Sequence, residues 1–382
     1  MAMSYEDLAA GVALRGERAV IRMRTTYQPS GGSGSRLYPP TYPTSAGDQV
    51  PYVIETRFVD GSERRAVLLD SVPSEANRAE EAMLRAFREG RIRIPLLEIR
   101  HEGATSVTLS SLEMPHRYAD AYLLDSMIDG VRFDETPLGK AFATANPGDA
   151  TALFAHDPGS LVYGAWNSHR KGRQAKFPRI YASEIIGWDP EVGHRKAGRM
   201  DPLNLTGLGS RDAEGELHYT ALGDKAKGAR LSEIGHGNIA PNSAHGGVTV
   251  SSAERMATIS MAALDRIGFG SASFEGALAA RTALAAYALV GDRLALGRPS
   301  LWLRSGCELV TLSESLEWVL RGGEVEPIDL GADQAIAVFA EASARAAEAG
   351  LAMNLEPVVL TPGKGLSEAI DFAVTKVEGS GD

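Results

Sequence analysis

Cysteine is almost missing from this chain. Cys307 is the sole thiol among 382 residues, which excludes a disulfide framework and any multi-cysteine zinc site and fits a reducing cytosol. Long apolar runs are missing too. The most apolar stretch, residues 277–290, is too short to span a bilayer and is broken by Arg281. The opening MAMSYEDLAAG has neither the basic nor the apolar segment of a secretory peptide. A cytoplasmic protein with no membrane partner is therefore expected. Catalytic signatures are equally scarce: there is no HExxH, no G-x-S-x-G elbow, no P-loop and no zinc spacing. Gly32 and Gly34 begin a dinucleotide-type pattern, but Leu37 stands where the third glycine should be. The eight histidines have no carboxylate partner at diagnostic spacing; His236 and His245, in one Gly-rich return, come nearest to sharing a site. No catalytic residue, metal ligand or cofactor is expected.

What the chain does have is the balance of a globular protein, with 44% hydrophobic and 23% charged residues. Its length suits one elaborated domain or two closely joined ones. The net charge of −10 would repel a polyanion were it spread evenly. It is not. Arg170, Lys171, Arg173, Lys176, Arg179, Arg195, Lys196 and Arg199 are set against only Glu184, Asp189 and Glu191, and a second basic group follows at Lys225, Lys227 and Arg230. Such a band suits a groove for a nucleic-acid backbone. It also suits a solvated loop, an acidic metabolite or a protein partner.

Residues 67–90, VLLDSVPSEANRAEEAMLRAFREG, join a buried strand to a polar turn and a well-marked helix. Asp70 and Ser71 are residues of a helix start, Pro73 is tolerated in a first turn, and Gly90 is a stop. Ala76, Ala79, Met83, Ala86 and Phe87 make an inward stripe, with Glu75, Arg78, Glu81, Arg85 and Glu89 facing elsewhere. Ser71, Ser74, Asn77 and Arg78 gather polar groups where free N–H groups and the helix dipole favour an anion. An ordinary N-cap has the same residues.

Before it, a helix over 5–13 and a strand over 19–25 lead to a loop at 27–51 rich in Gly, Ser, Pro and Tyr, with Arg36 and Tyr38 within it. Tyr27, Tyr38 and Tyr42 offer faces for stacking on bases. A strand over 52–58 turns at Asp60-Gly61. Further strands are expected at 92–99 and 106–109, a helix at 118–130, another at 136–145, a buried strand from Ser160 and a strand from Pro178. The segment 193–229, poor in apolar periodicity, is an excursion: a β-hairpin arm or an ornamental loop. A helix is expected over 253–267, and Ala-rich helices over 276–290 and 334–349 form a C-terminal bundle. In the second, Ala340, Ala344 and Ala347 suggest a helix–helix seam.

LLDSVPSEANRAEEAM, HRYADAYLLDS, YGAWNSHRKGR, FPRIYASEIIG, GRMDPLN, SEIGHGNIAP and GGVTVSSAERMATISMAAL, in that order, resemble the motif series of the RAMP-superfamily backbone subunit of type I-U (I-G) CRISPR effector complexes. The resemblance runs over residues 31–264. It departs at Glu75, where the family carries Gln, and at Asn167, where it carries an acid. The resemblance implies an α+β fold: an elaborated RRM or ferredoxin-like palm with an antiparallel sheet, an inserted thumb hairpin, loop-rich fingers and a helical C-terminal portion. It divides the chain into a palm over 1–193 with a loop insertion at 27–51, a thumb over 194–230, and the rest of the palm with the helical region over 231–382. It implies no enzyme but a protein that polymerises head to tail along a CRISPR RNA, beside other effector subunits, and displays the guide for pairing with target DNA. By this resemblance Ser71, Ser74, Asn77 and Arg78 meet RNA at the helix start, Arg36 and Tyr38 close over it, and Arg170, Lys171, Arg173, Lys176 and Arg179 form a positive track. Lys225, Lys227 and Arg230 extend that track in the thumb. A guide-dependent, metal-assisted ribonuclease of the same superfamily is the alternative, with Asp70 and Asp201 as the acids to test.

Overall fold

The computed structural model describes residues 2–13, 16–44, 50–103, 105–167, 175–194, 198–212, 214–221, 228–237 and 246–379. Its main sheet is built from β1 (Arg18–Pro29), β2 (Ile54–Val59), β3 (Ser62–Asp70), β4 (Tyr181–Trp188), β5 (Ser252–Ser260), β6 (Ser300–Arg304), β7 (Cys307–Leu320) and β8 (Val325–Pro327). The order is β6-β7-β1-β5-β4-β3-β2, with β8 also on β7, and every pairing is antiparallel. Four helices matter most: α1 (Tyr5–Val12), α2 (Val72–Arg88), α3 (Phe274–Leu296) and α4 (Ala332–Glu348). Along the chain β1, α2, β4, β5, α3 and β7 follow a β-α-β-β-α-β path, and their strands lie side by side as β7-β1-β5-β4. That is the ferredoxin-like arrangement, and the chain is α+β as the motifs implied. The hairpin β2-β3 is an insertion between β1 and α2 that widens the β4 side.

One face of the sheet is covered. Ile21, Met23, Thr25 and Tyr27 of β1 and Ala253, Arg255, Ala257 and Ile259 of β5 alternate inward, so each strand buries every second residue beneath the helices. α2 buries Ala76, Ala79, Met83 and Ala86, the stripe read from the sequence, but Glu75 is buried with them. α3 runs almost wholly inside and packs against α2 and α4. Small residues let it do so: a Cβ at Gly291 would collide with Tyr163 Oη and lie 3.1 Å from Met83 Sδ.

Charges stitch helices to sheet. Arg255 has no exposed surface; it pairs with Asp292 of α3 and donates to Ser183 Oγ and Tyr181 Oη, each at 2.9 Å. Ser183 passes the bond on to Glu75 at 2.9 Å, and Arg293 joins Asp292 to Glu314 at 2.5 and 2.7 Å. Burial favours the neutral Asp292, yet Arg255 and Arg293 hold its carboxyl below the usual range.

A second, five-stranded sheet flanks the palm. Its order is Ser106–Ser110, Leu97–Glu102, Val358–Pro362, Ser126–Ile128 and Val131–Arg132, with Val358–Pro362 parallel to Leu97–Glu102. Several sequence expectations change here. Residues 118–130 are not one helix: a short turn over Arg117–Ala119, the helix Ala121–Leu124 and the strand Ser126–Ile128 replace it, because Asp120 caps a new start and Asp129-Gly130 make a left-handed turn. The stretch from Ser160 is the end of a helix, Pro158–Val162, capped by Asp157, rather than a strand. Of residues 92–99 only Leu97 onward is strand. The helix expected over 253–267 is mostly β5, and only Met261–Asp265 is helical. Ala340, Ala344 and Ala347 are exposed; the α3-facing side of α4 is Ala335, Val338, Phe339, Ala342 and Ala346.

Between β4 and β5 the chain makes its excursion. Leu208–Arg211, Leu217–Thr220 and Ala229–Arg230 form a small antiparallel sheet with Leu208–Arg211 in the middle. Its neck is narrow. Gly193 donates to the Gly247 carbonyl at 2.9 Å, and a Cβ on Gly246 would overlap the Gly193 carbonyl. Among the described residues no helix is long and apolar enough to cross a membrane.

Candidate nucleic-acid interface

The helix start of α2 is an N-cap: Ser71 Oγ accepts from the Ser74 N–H at 3.4 Å, and Asn77 is exposed beyond it. Its guanidinium, however, is engaged. Arg78 Nε meets the buried Asp70 at 2.5 Å and Nη2 donates to the Leu303 carbonyl at 3.1 Å. Arg304 reaches the same carboxylate at 3.3 Å and the Leu69 carbonyl at 2.8 Å. Leu303 and Arg304 belong to β6, the outer strand at the far end of the order from β3. The sheet therefore curls until its two sides meet, and Asp70 is the clasp. Leu69, Val67, Ile185, Leu296, Leu301, Leu303 and Leu309 fill the curl.

The loop after β1 closes over this seam. Leu37 exchanges backbone hydrogen bonds with Val248, both at 2.8 Å, and Tyr38 N–H donates to the Gly306 carbonyl at 3.2 Å. The Tyr38 ring rests on Gly306 and Gly247, where side chains would collide or crowd. Arg36 is exposed, with its guanidinium over Gly193 at the neck of the excursion. Tyr27, by contrast, lies buried inside β1 and presents no face for stacking, because the strand continues to Pro29. Burial pushes Cys307 nearby up to about 11, so it is an inert thiol.

The basic band sits at the other end of β4. Arg170, Lys171, Arg173, Lys225 and Lys227 lie outside the described residues. Lys176 and Arg179 are exposed where the chain enters β4, and Arg230 is exposed on the excursion. An eight-residue strand spans roughly 23 Å between its first and last residues, so Lys176 and Arg179, before β4, do not share a cluster with Arg36 at the neck beyond its end, while Asp70 at the helix start pairs with Ile185 between the two. One residue missed in the sequence stands with the band. Trp166 is 57% exposed, the two-residue strand Ala165–Trp166 after the Pro158–Val162 helix pairs with Lys176–Phe177, and the Lys176 ammonium lies 5.7 Å from the Trp166 ring centre. The signal available was an aromatic in YGAWNSHRKGR immediately before a run of bases.

Residues 21–192, somewhat under half of the chain, match the family of CRISPR-associated protein GSU0053. Over that segment the chain is similar to a CRISPR-associated family. The match contains most of β1, all of β2 to β4, the Asp70 and Arg78 side of the curl seam, Trp166 and the bases from Arg170 to Arg179, and a CRISPR-associated family is what the motifs resemble. The crystal structure of Thermofilum pendens Csc2 is similar over 99% of this chain and 81% of that one, at 12% identity and a TM-score of 0.25. No curated protein matches the chain.

Among the described residues no cluster of three metal-binding side chains occurs. His236 is half-buried and His245 lies outside the described residues. Asp70 is buried beneath two guanidiniums, and Asp201 accepts the N–H groups of Leu203 and Leu205 at 3.0 and 2.9 Å.

Proposed function

We propose that this protein is the guide-binding backbone subunit of a type I-U (I-G) Cascade-like CRISPR complex. It grips CRISPR RNA through its backbone, adds copies of itself head to tail, contacts other effector subunits in the cytoplasm, and leaves target DNA to be read by pairing. The carrying observation is the exposed Trp166 under Lys176 at the foot of the basic loop, within the family-matched segment. An aromatic face beside cations suits stacking and phosphate contact without sequence choice. The Gly193–Gly246 neck supports a protruding arm for a thumb, and Arg36 at that neck is placed to meet a backbone passing between arm and palm. The ribonuclease reading gains nothing from Asp70, which holds the curl closed.

The protein purified from cells should carry RNA of uniform length. Replacing Lys176, Arg179 and Arg173 together by Ala should weaken guide binding about tenfold or more at moderate salt and flatten its salt dependence, since each lost phosphate contact removes about 0.7 from a single-strand slope. Nucleic-acid-free protein indifferent to guide RNA would overturn the reading.

A further inference from the structure

Apart from Trp166 with Lys176 and the neck at Arg36, a cleft of about 450 Å³ opens between α2 and the outer strand β6. Arg78, Glu81, Ala82 and Arg85 recur along one face of α2 to form one wall; Ser300 and Trp302 form the other, and Arg298 stands at the end of α3. The cleft is closed where Arg78 meets the Leu303 carbonyl. Strand alternation decides what faces outward: Leu301 and Leu303 are buried in the curl, so Trp302 is turned out and is 65% exposed.

The charges here are unevenly spent. Arg78 is neutralised by Asp70. Arg85 meets Glu81 at 3.0 Å, but both side chains are more than half exposed, so the pair is weak and easily exchanged. Arg298 donates Nε to the Leu294 carbonyl at 3.0 Å and faces no carboxylate among the described residues. On a chain of net charge −10, a guanidinium with no carboxylate against it among the described residues, a second one held loosely and an exposed indole meet in one concavity.

We propose that this cleft is a second nucleic-acid site, taking a single strand: a base stacks on Trp302 and the adjoining phosphate is held by Arg298 and Arg85. The indole favours a nucleotide over an acidic peptide, because a carboxylate uses the guanidiniums and leaves the aromatic face without a partner, whereas every base has a face to offer. Phosphate takes the place of Glu81 at Arg85, and the phosphate contacts make the affinity fall with salt.

The test is ultraviolet cross-linking of the full chain to single-stranded RNA and, separately, to single-stranded DNA, with adducts located by peptide mass. An adduct on the peptide containing Trp302 is expected. It should vanish in Trp302→Ala and need about tenfold more oligonucleotide in Arg298→Glu, the order of one lost stacking or phosphate contact. Trp302 is exposed, so its variant should melt like the parent; Arg298→Glu loses the bond to the Leu294 carbonyl at the end of α3, and its affinity is therefore compared at a temperature well below its own melt. An RNA-only adduct gives the cleft to a guide or transcript, a DNA-only adduct to a DNA strand. Adducts at Trp166 and none at Trp302 would overturn the second site while leaving the proposed function standing. Suppression of Trp302 adduct formation by an acidic peptide present during irradiation, under conditions where mononucleotides do nothing, would also overturn it.

Discussion

Glu75 carries the sharpest consequence of a single side chain. It sits one turn into α2, fully buried, with Ser183 donating to one oxygen while the other, Oε1, has no hydrogen bond and faces Arg78 Nε at 3.7 Å. Burial, chiefly, pushes its carboxyl up to about 8, against an ordinary 4.5, although Arg255 pulls the other way. The folded state thus holds a proton that the unfolded chain releases above 4.5. Stability from this group is complete below about pH 4.5 and is lost as pH rises toward 8. Glu75→Gln, which restores the residue found in the resembled motif, should remove that loss. In thermal melts across this window, the difference between variant and parent should grow with pH and favour the variant at the alkaline end. Parallel curves would remove the assignment. None of this was legible in the sequence, where Glu75 reads as one more charge on a polar helix face. Its burial is decided by β4 and β5 supplying Ser183 and Arg255 from more than a hundred residues away along the chain.

At the scale of elements, α2 was readable because its signals are local: a serine cap, a proline in the first turn, a small apolar stripe and Gly90 in a left-handed turn. β5 was not. SAERMATIS is rich in helix formers, and only its neighbours β1 and β4 impose a period of two. Buried Arg255 would look like a solvent residue in either reading. The crossing of α2 on α3 depends on a missing side chain. Gly291→Ala should destabilise the fold by about 1–3 kcal/mol, measured by urea unfolding, because the added methyl must displace Tyr163 and Met83 from a packed core. A gain in stability, as expected for alanine in a free helix, would show that the helices part without cost.

For the whole molecule, the sequence revealed the palm and the excursion but not the curl. Closing the sheet needs Asp70, Arg78 and Arg304, three residues whose spacing says nothing of contact. The same applies to the site: the helix start and the glycine-tyrosine loop meet at that seam, while the basic band lies at the start of β4, a strand's length from the neck where Arg36 stands. Two separated footings on one palm suit a strand that runs across the protein rather than a ligand that sits in it. Light scattering on complexes with guides of increasing length should accordingly give masses that rise in whole-subunit steps. A constant single-subunit mass would count against growth along RNA.

The neck at Gly193 and Gly246 has a further meaning. Since the chain leaves and returns through two glycines in backbone contact, the palm perceives everything between them as a single tight turn joining β4 to β5. The register of the central strands is therefore indifferent to what is mounted there. An arm can lengthen, shorten or change its grip while the palm keeps its pairing. The places that cannot change are the two sockets themselves, where even one methyl group would pry the mount apart.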